Sequence, residues 1–153
     1  CKFFDFLERE YGVRIVIAAH PRSHYGERSD YFGGRLVFKG KTAELVRKSG
    51  FTIAHSSVSI NFAVLFNKSA LFITTNRIQQ DRLAGRYSRV MSGCLSKTPI
   101  NIDEPLDIDW GKELTVDQTA YARYRQAYIK KTGSPEKPCW QIFADFLKRL
   151  EAQ

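Results

Sequence analysis

Two hydrophobic patterns alternate along this chain. The first is a short apolar run. Such runs occupy residues 13–19 (VRIVIAA), 35–39 (RLVFK), 51–54 (FTIA) and 70–74 (ALFIT), with a shorter one at 98–102 (TPINI). Each predicts a strand, and the run at 13–19 is too apolar to alternate, which predicts burial on both faces as in a parallel sheet. The second pattern returns every three or four residues and predicts helices. Phe3, Phe4, Leu7 and Tyr11 mark a first helix that Gly12 stops. Residues 42–49 read as a short helix with Thr42 as its N-cap, and residues 59–67 as a helix apolar on nearly every side, suited to packing on a sheet. A longer helix is predicted over 77–91, with Leu83, Tyr87, Val90 and Met91 as its apolar stripe. Thr115 and Gln118 form a capping-box pattern opening a helix that carries Tyr121, Tyr124 and Tyr128 to about residue 131, where Gly133 and Pro135 end it. Residues 139–151 form a last helix with Trp140, Phe143, Leu147 and Leu150 on one face.

Strands therefore alternate with helices, and that order predicts an α/β fold: a Rossmann-like three-layer domain with a mostly parallel sheet. The 153 residues suit one domain, and no repeat or linker divides them. No apolar run approaches the ~20 residues that span a bilayer. The first residue is Cys1, placed inside an apparent helix, which predicts a fragment of a longer chain. Three cysteines, Cys1, Cys94 and Cys139, lie far apart and include no C-x-x-C pair, so a disulfide framework and a structural zinc site are not expected and a reducing cytoplasm is. The net charge of +8 suits polyanions such as nucleic acid, anionic lipid or phosphorylated ligands.

Ligands of open parallel sheets bind beyond the carboxyl ends of the strands. Two of those ends are polar here. His20, Pro21 and Arg22 follow the first strand; His55, Ser56, Ser57, Val58 and Ser59 lead from the third strand into a helix. A helix start offers backbone N–H groups and serines add hydroxyls, a combination suited to phosphate. His20 is placed to donate to the same anion, whereas His55 is expected to turn into the sheet. Lys41 stands at the same carboxyl edge. Gly40-Lys41-Thr42 is not a phosphate-binding P-loop, since Arg35 occupies the position of its first glycine. No G-x-G-x-x-G or H-E-x-x-H is present, and the three histidines lack metal-ligand spacing, so neither cofactor nor metal is implied. Asp107 and Asp109 flank Ile108 in a loop and read as solvated, although two carboxylates so placed are also the residue types of a glycosidase pair.

The ordered set of strand-His-Pro, loop, strand, short Glu44-Leu45-Val46 helix, strand-Ser-Ser, apolar helix, Asn67-Lys68 and strand resembles the C-terminal domain of GT-B glycosyltransferases of bacterial surface polysaccharide synthesis. It is most similar to the bacterial sialyl- and polysialyltransferases, with their H-P and S-S/T motifs. The likeness covers residues 13–75 well and the rest loosely. It implies that the chain is the donor half of a GT-B architecture, with His20, Ser56 and Ser57 on the phosphate of a CMP-, CDP- or UDP-linked sugar. The general base and the glycan acceptor would then belong to a missing N-terminal domain, leaving the catalytic residues of this chain unknown and the fragment inactive. It also implies a cytoplasmic protein, compatible with the inner face of the membrane, whose last helix packs on the missing domain or on another copy. Phe62 stands where many nucleotide-sugar transferases carry a ribose-binding glutamate. Two alternatives come from other classes: a non-catalytic nucleic-acid-binding module, suggested by Arg77, Arg82, Arg86, Arg89, Arg123, Arg125, Lys130 and Lys131, and a sugar-nucleotide epimerase-like domain.

Overall fold

A computed structural model of the protein describes residues 2–27, 30–106 and 108–151. The chain is α/β with parallel strands in open sheets. Helix α1 (Lys2–Tyr11) ends where Gly12 takes a φ of +61° and its amide bonds back to Glu8. Strand β1 (Ile17–Ala19) pairs in parallel with β2 (Val37–Lys39) across a loop that holds a 3-10 turn, Tyr25–Glu27. Helix α2 (Thr42–Lys48) leads to β3 (Phe51–Ala54), and α3 (Ile60–Leu65) to β4 (Ser69–Thr74). Helices α4 (Asn76–Gln80) and α5 (Arg82–Gly93) precede β5 (Ile100–Asn101). Three further helices close the chain: α6 (Trp110–Leu114), α7 (Gln118–Tyr124), continued by a π-helical turn at Arg125–Ile129, and α8 (Cys139–Glu151).

The strands form two ladders. One is β1–β2; the other is β3–β4–β5, parallel throughout. Strand β4 is the core of the second, and its side chains alternate between two hydrophobic clusters. Ala70 and Phe72 face Val46, Ile60, Ala63, Val64, Leu95, Tyr121 and Tyr124; Leu71 faces Phe3 and Leu7. Helices α2, α3 and α7 thus cover one face and α1 the other, where Trp110 of α6 joins the cluster. Tyr121 donates to the Lys68 carbonyl at 2.8 Å and Tyr124 to Asn61 Oδ1 at 2.9 Å, so both buried phenols are satisfied.

The run at 13–19 does not form one long doubly buried strand. Burial alternates along it, with Arg14, Val16 and Ala18 exposed. Its first part lies outside the ladder, and the Ile15 amide donates instead to the Glu8 carboxylate at 3.0 Å. That carboxylate also receives Arg35, whose guanidinium is buried and reaches Glu8 at 2.7 Å and Asp5 at 2.5 Å. An ion cluster between α1 and the approach to β2 takes the place of the ladder there.

The helix predicted over 77–91 also differs. It breaks at Asp81, whose carboxylate caps α5 by accepting from the Leu83 and Ala84 amides at 2.9 and 2.8 Å. The buried face of α5 is Gly85, Ser88 and Ser92, while Leu83, Tyr87 and Val90 are exposed. Three of the four residues of the predicted stripe therefore face solvent, and only Met91 packs against the core. Asp117, not Thr115, caps α7; the Thr115 hydroxyl bonds back to the Gly111 carbonyl instead. Helix α8 has the predicted extent but buries none of its residues, and Tyr128 likewise stands in solvent.

Candidate functional site

Strand β1 ends at the buried Ala19, and the chain turns sharply at His20, Pro21 and Arg22. The turn is closed by its own polar groups. The Ser23 amide and hydroxyl both donate to the His20 carbonyl, at 2.9 and 2.7 Å. The Arg22 amide donates to His20 Nδ1 at 3.1 Å. With Nδ1 accepting, the proton of a neutral ring sits on Nε2, which is left as an exposed donor. The Arg22 guanidinium is exposed and has no ion-pair partner among the described residues.

At the end of β3, the serine turn is also self-bonded. Ser57 and Ser59 share a hydrogen bond between their hydroxyls at 2.6 Å, and Ser57 Oγ accepts the Ser59 amide at 3.3 Å. His55 lies exposed, not turned into the sheet, with Nδ1 2.8 Å from the Ser56 hydroxyl. The amides of Ile60, Asn61 and Phe62 bond to carbonyls three residues back, in the turn that starts α3. The helix start therefore offers fewer free N–H groups than its sequence promised. The amides of Ser57 and Val58 make no hydrogen bond among the described residues. Lys41 precedes α2, following Gly40 at a φ of +69°, and its ammonium lies 5.9 Å from the Phe38 ring centroid. Among the described residues no hydrogen bond joins the His20 turn to the serine turn. Phe62 packs against the core and stacks on Phe66, with no polar group to offer a ribose.

A third strand end holds a feature that hydrophobic pattern alone did not reveal. Beyond β4 a cavity of about 210 Å³ is lined by Thr74, Gln79, Ser88, Arg89, Thr98 and Pro99. Beside it, Asn76 and Asn101 bond to each other at 2.7 Å, and Asp103 accepts the Asn76 amide at 2.8 Å. Residue pattern at short range could have hinted at this only through the unusual Gly85 and Ser88 on one face of a helix.

Other candidates fall into structural roles. Asp109 caps α6 through the Lys112 amide, and Asp107 lies outside the described residues, as does Cys1. Cys94 and Cys139 are free thiols. Arg125 donates to the Val64 carbonyl at 3.3 Å and Lys130 pairs with Glu136. Arg77, Arg82, Arg86 and Arg123 remain exposed. Among the described residues no group of three or more His, Cys, Asp or Glu stands ready to hold a metal ion, and no helix is long and apolar enough to cross a membrane. Comparison with protein-family models, curated proteins and solved structures gave no match.

Proposed function

We propose that this chain is the donor-nucleotide-binding half of a GT-B glycosyltransferase that builds a bacterial surface polysaccharide from a CMP-, CDP- or UDP-linked sugar. The observation that carries the reading is the pair of exposed polar turns at the carboxyl ends of β1 and β3, each fixed by its own hydrogen bonds. The parallel α/β layers are compatible with a Rossmann-like domain, in which such turns face the ligand. His20 Nε2–H, the Ser56 and Ser57 hydroxyls and the Ser57 and Val58 amides are donors for a phosphate, with Arg22, Lys41 and Ser59 around them. Their chemical part would be to offset charge on the leaving nucleotide phosphate. The base that activates the acceptor and the surface that holds the glycan would come from a second domain. The exposed Val16, Leu36 and Val37, together with the uncovered face of α8, are the surfaces such a domain, or a membrane's inner face, would cover.

Calorimetric titration with CMP, CDP and UDP tests the proposal. Saturable binding of one of them is expected, weakened about tenfold or more by His20→Ala and by Ser57→Ala. Binding that ignores both substitutions refutes the assignment of the site.

One observation favours a second reading. Arg82, Arg86 and Arg89 recur at helical spacing and form a basic stripe on α5, and Tyr87 is 64% exposed ~100° around the helix from Arg86, so a strand following the arginines would pass an exposed ring, as single-stranded nucleic acid binders use. A short DNA oligonucleotide in the same titration decides it: salt-dependent binding that persists in the His20 and Ser57 variants and disappears in Tyr87→Ala supports the nucleic-acid module.

A further inference from the structure

We infer that the cavity beyond β4 is a binding site for a phosphate group, free or at the end of a monoester, separate from the two strand-end turns above. Three independent features converge there. Ser88 is 1% exposed, lines the cavity, and its hydroxyl has no hydrogen-bond partner. Buried polar atoms are paired in almost every native structure, so an orphaned hydroxyl on a residue of the cavity wall is a donor left over for a group bound there. The second feature is Arg89, next in sequence, whose guanidinium has no hydrogen bond or ion pair among the described residues. It reaches back one turn along α5: a Cβ on Gly85 would stand 3.3 Å from Arg89 Nη1. The bare glycine thus leaves room for the guanidinium at the cavity rim. The third is the lining as a whole. Thr74, Ser88 and Thr98 bring hydroxyls and Gln79 an amide, and no carboxylate is among the lining residues.

Hydroxyl donors lining the same cavity as an unpaired guanidinium suit a tetrahedral oxyanion, which a fork of N–H groups and several O–H groups bind together. Size points the same way. The cavity, about 210 Å³, is below the roughly 300–1,000 Å³ of sites that enclose drug-sized ligands, and so suits one phosphoryl group with the rest of a monoester outside. The site also lies at the carboxyl end of the central strand of its ladder, where parallel sheets place ligands. The acids nearby are occupied elsewhere: Asp81 caps α5, and Asp103 and Glu104 hold Asn76.

The test is thermal melting of the 153-residue chain at constant ionic strength, with chloride replaced stepwise by inorganic phosphate and, in a second series, by ribose 5-phosphate. A ligand that binds the folded state alone raises the melting temperature saturably. The expected result is such a rise with inorganic phosphate. A stronger response to ribose 5-phosphate would identify a monoester as the ligand; an equal one would identify the free ion. Arg89→Gln is expected to raise the half-saturating phosphate concentration about tenfold or more. Ser88→Ala is expected to blunt the response without lowering the phosphate-free melting temperature, because it removes an unpaired buried hydroxyl. The double variant His20→Ala/Ser57→Ala keeps the full response. Three results would each overturn the proposal: no rise in the unaltered chain, a full rise in Arg89→Gln, or a rise lost only in the His20/Ser57 variant. Arg89 is exposed, so its variant tests the site without altering the packing around Ser88.

Discussion

Replacing Gly85 by alanine tests the packing of α4 on α5 with an unusual sign. Inside a helix, glycine to alanine ordinarily stabilises by up to about 1 kcal/mol through backbone entropy and propensity. Here the new Cβ would lie 2.9 Å from the Ile78 carbonyl oxygen and 3.0 Å from that of Gln79. Both are backbone atoms of α4, so no side-chain rotation relieves the contact and the two helices must separate. Overpacking of this kind costs about 1–3 kcal/mol, and with two carbonyls involved the upper part of that range applies. Subtracting the propensity gain leaves a net loss of about 1–2 kcal/mol. In a domain of this size that lowers the melting temperature by roughly 2–8 °C. Gly93→Ala in the same helix is the control: nothing lies within 4 Å of its Cβ, and its melting temperature should rise by roughly 1–3 °C. Circular dichroism melts and urea midpoints of both variants report the difference. A Gly85→Ala protein as stable as the parent, or more stable, would refute the close approach of the two helices and with it the shape of the cavity that they form.

Three further outcomes can be measured on the same protein. The Arg35 guanidinium holds the Glu8 and Asp5 carboxyls below their ordinary values of 4.5 and 3.8, so the stability they contribute is present above those values and is lost as pH falls through the lowered ones; urea midpoints from about pH 6 to about pH 3 should fall less steeply in Arg35→Gln than in the parent. Burial pushes Tyr121 up to about 12 from an ordinary 10.0, so stability falls as pH rises from 10.0 towards 12; ultraviolet titration should show Tyr121 ionising late together with Tyr124 and Tyr128, which are also raised, and one late phenol fewer in Tyr121→Phe, with a loss of about 1–2 kcal/mol from the unpaired Lys68 carbonyl. Helix α8 exposes Trp140, Phe143, Phe146, Leu147 and Leu150, so sedimentation should show self-association at high concentration that Trp140→Ser/Phe143→Ser abolishes without changing the melting temperature; a clean monomer of the parent chain would count against an adhesive α8.

How legible the fold was depended on which force set each element. Strands β3 and β4 follow from their apolar runs because burial alone decides them, and β4 is buried almost throughout. The stop of α1 at Gly12 was legible because a positive φ needs glycine. Strand β1 was misread because its length is set by a partner 7 residues away in sequence: Glu8 takes the Ile15 amide, and no local pattern announces that. The start of α7 was misread for a similar reason, since Thr115 is engaged by the end of α6 and Asp117 caps in its place. For the candidate site, residue types at the strand ends were legible, whereas the exposure of His55, expected to turn into the sheet, was not. That the first amides of α3 are already bonded was not, because it depends on the tight turn from Ser57 to Ser59.

The exposure of most of the predicted α5 stripe carries more meaning than the other misreadings. A helix with Leu83, Tyr87 and Val90 available would gain more by burying them than by burying Gly85, Ser88 and Ser92. Its small face allows an approach to α4 so close that a single methyl group would not fit. It also places an unpaired hydroxyl at 1% exposure, which costs about 1–3 kcal/mol while nothing answers it. Sequences break their own hydrophobic pattern at such expense mainly where function requires it. The two losses share one location, the wall of the cavity beyond β4, and an oxyanion there would remove the second by accepting from Ser88. The uncovered Leu83, Tyr87 and Val90 are then the other side of the same arrangement: the helix is turned so that Gly85, Ser88 and Arg89 line the cavity, and these three apolar residues are left on the surface.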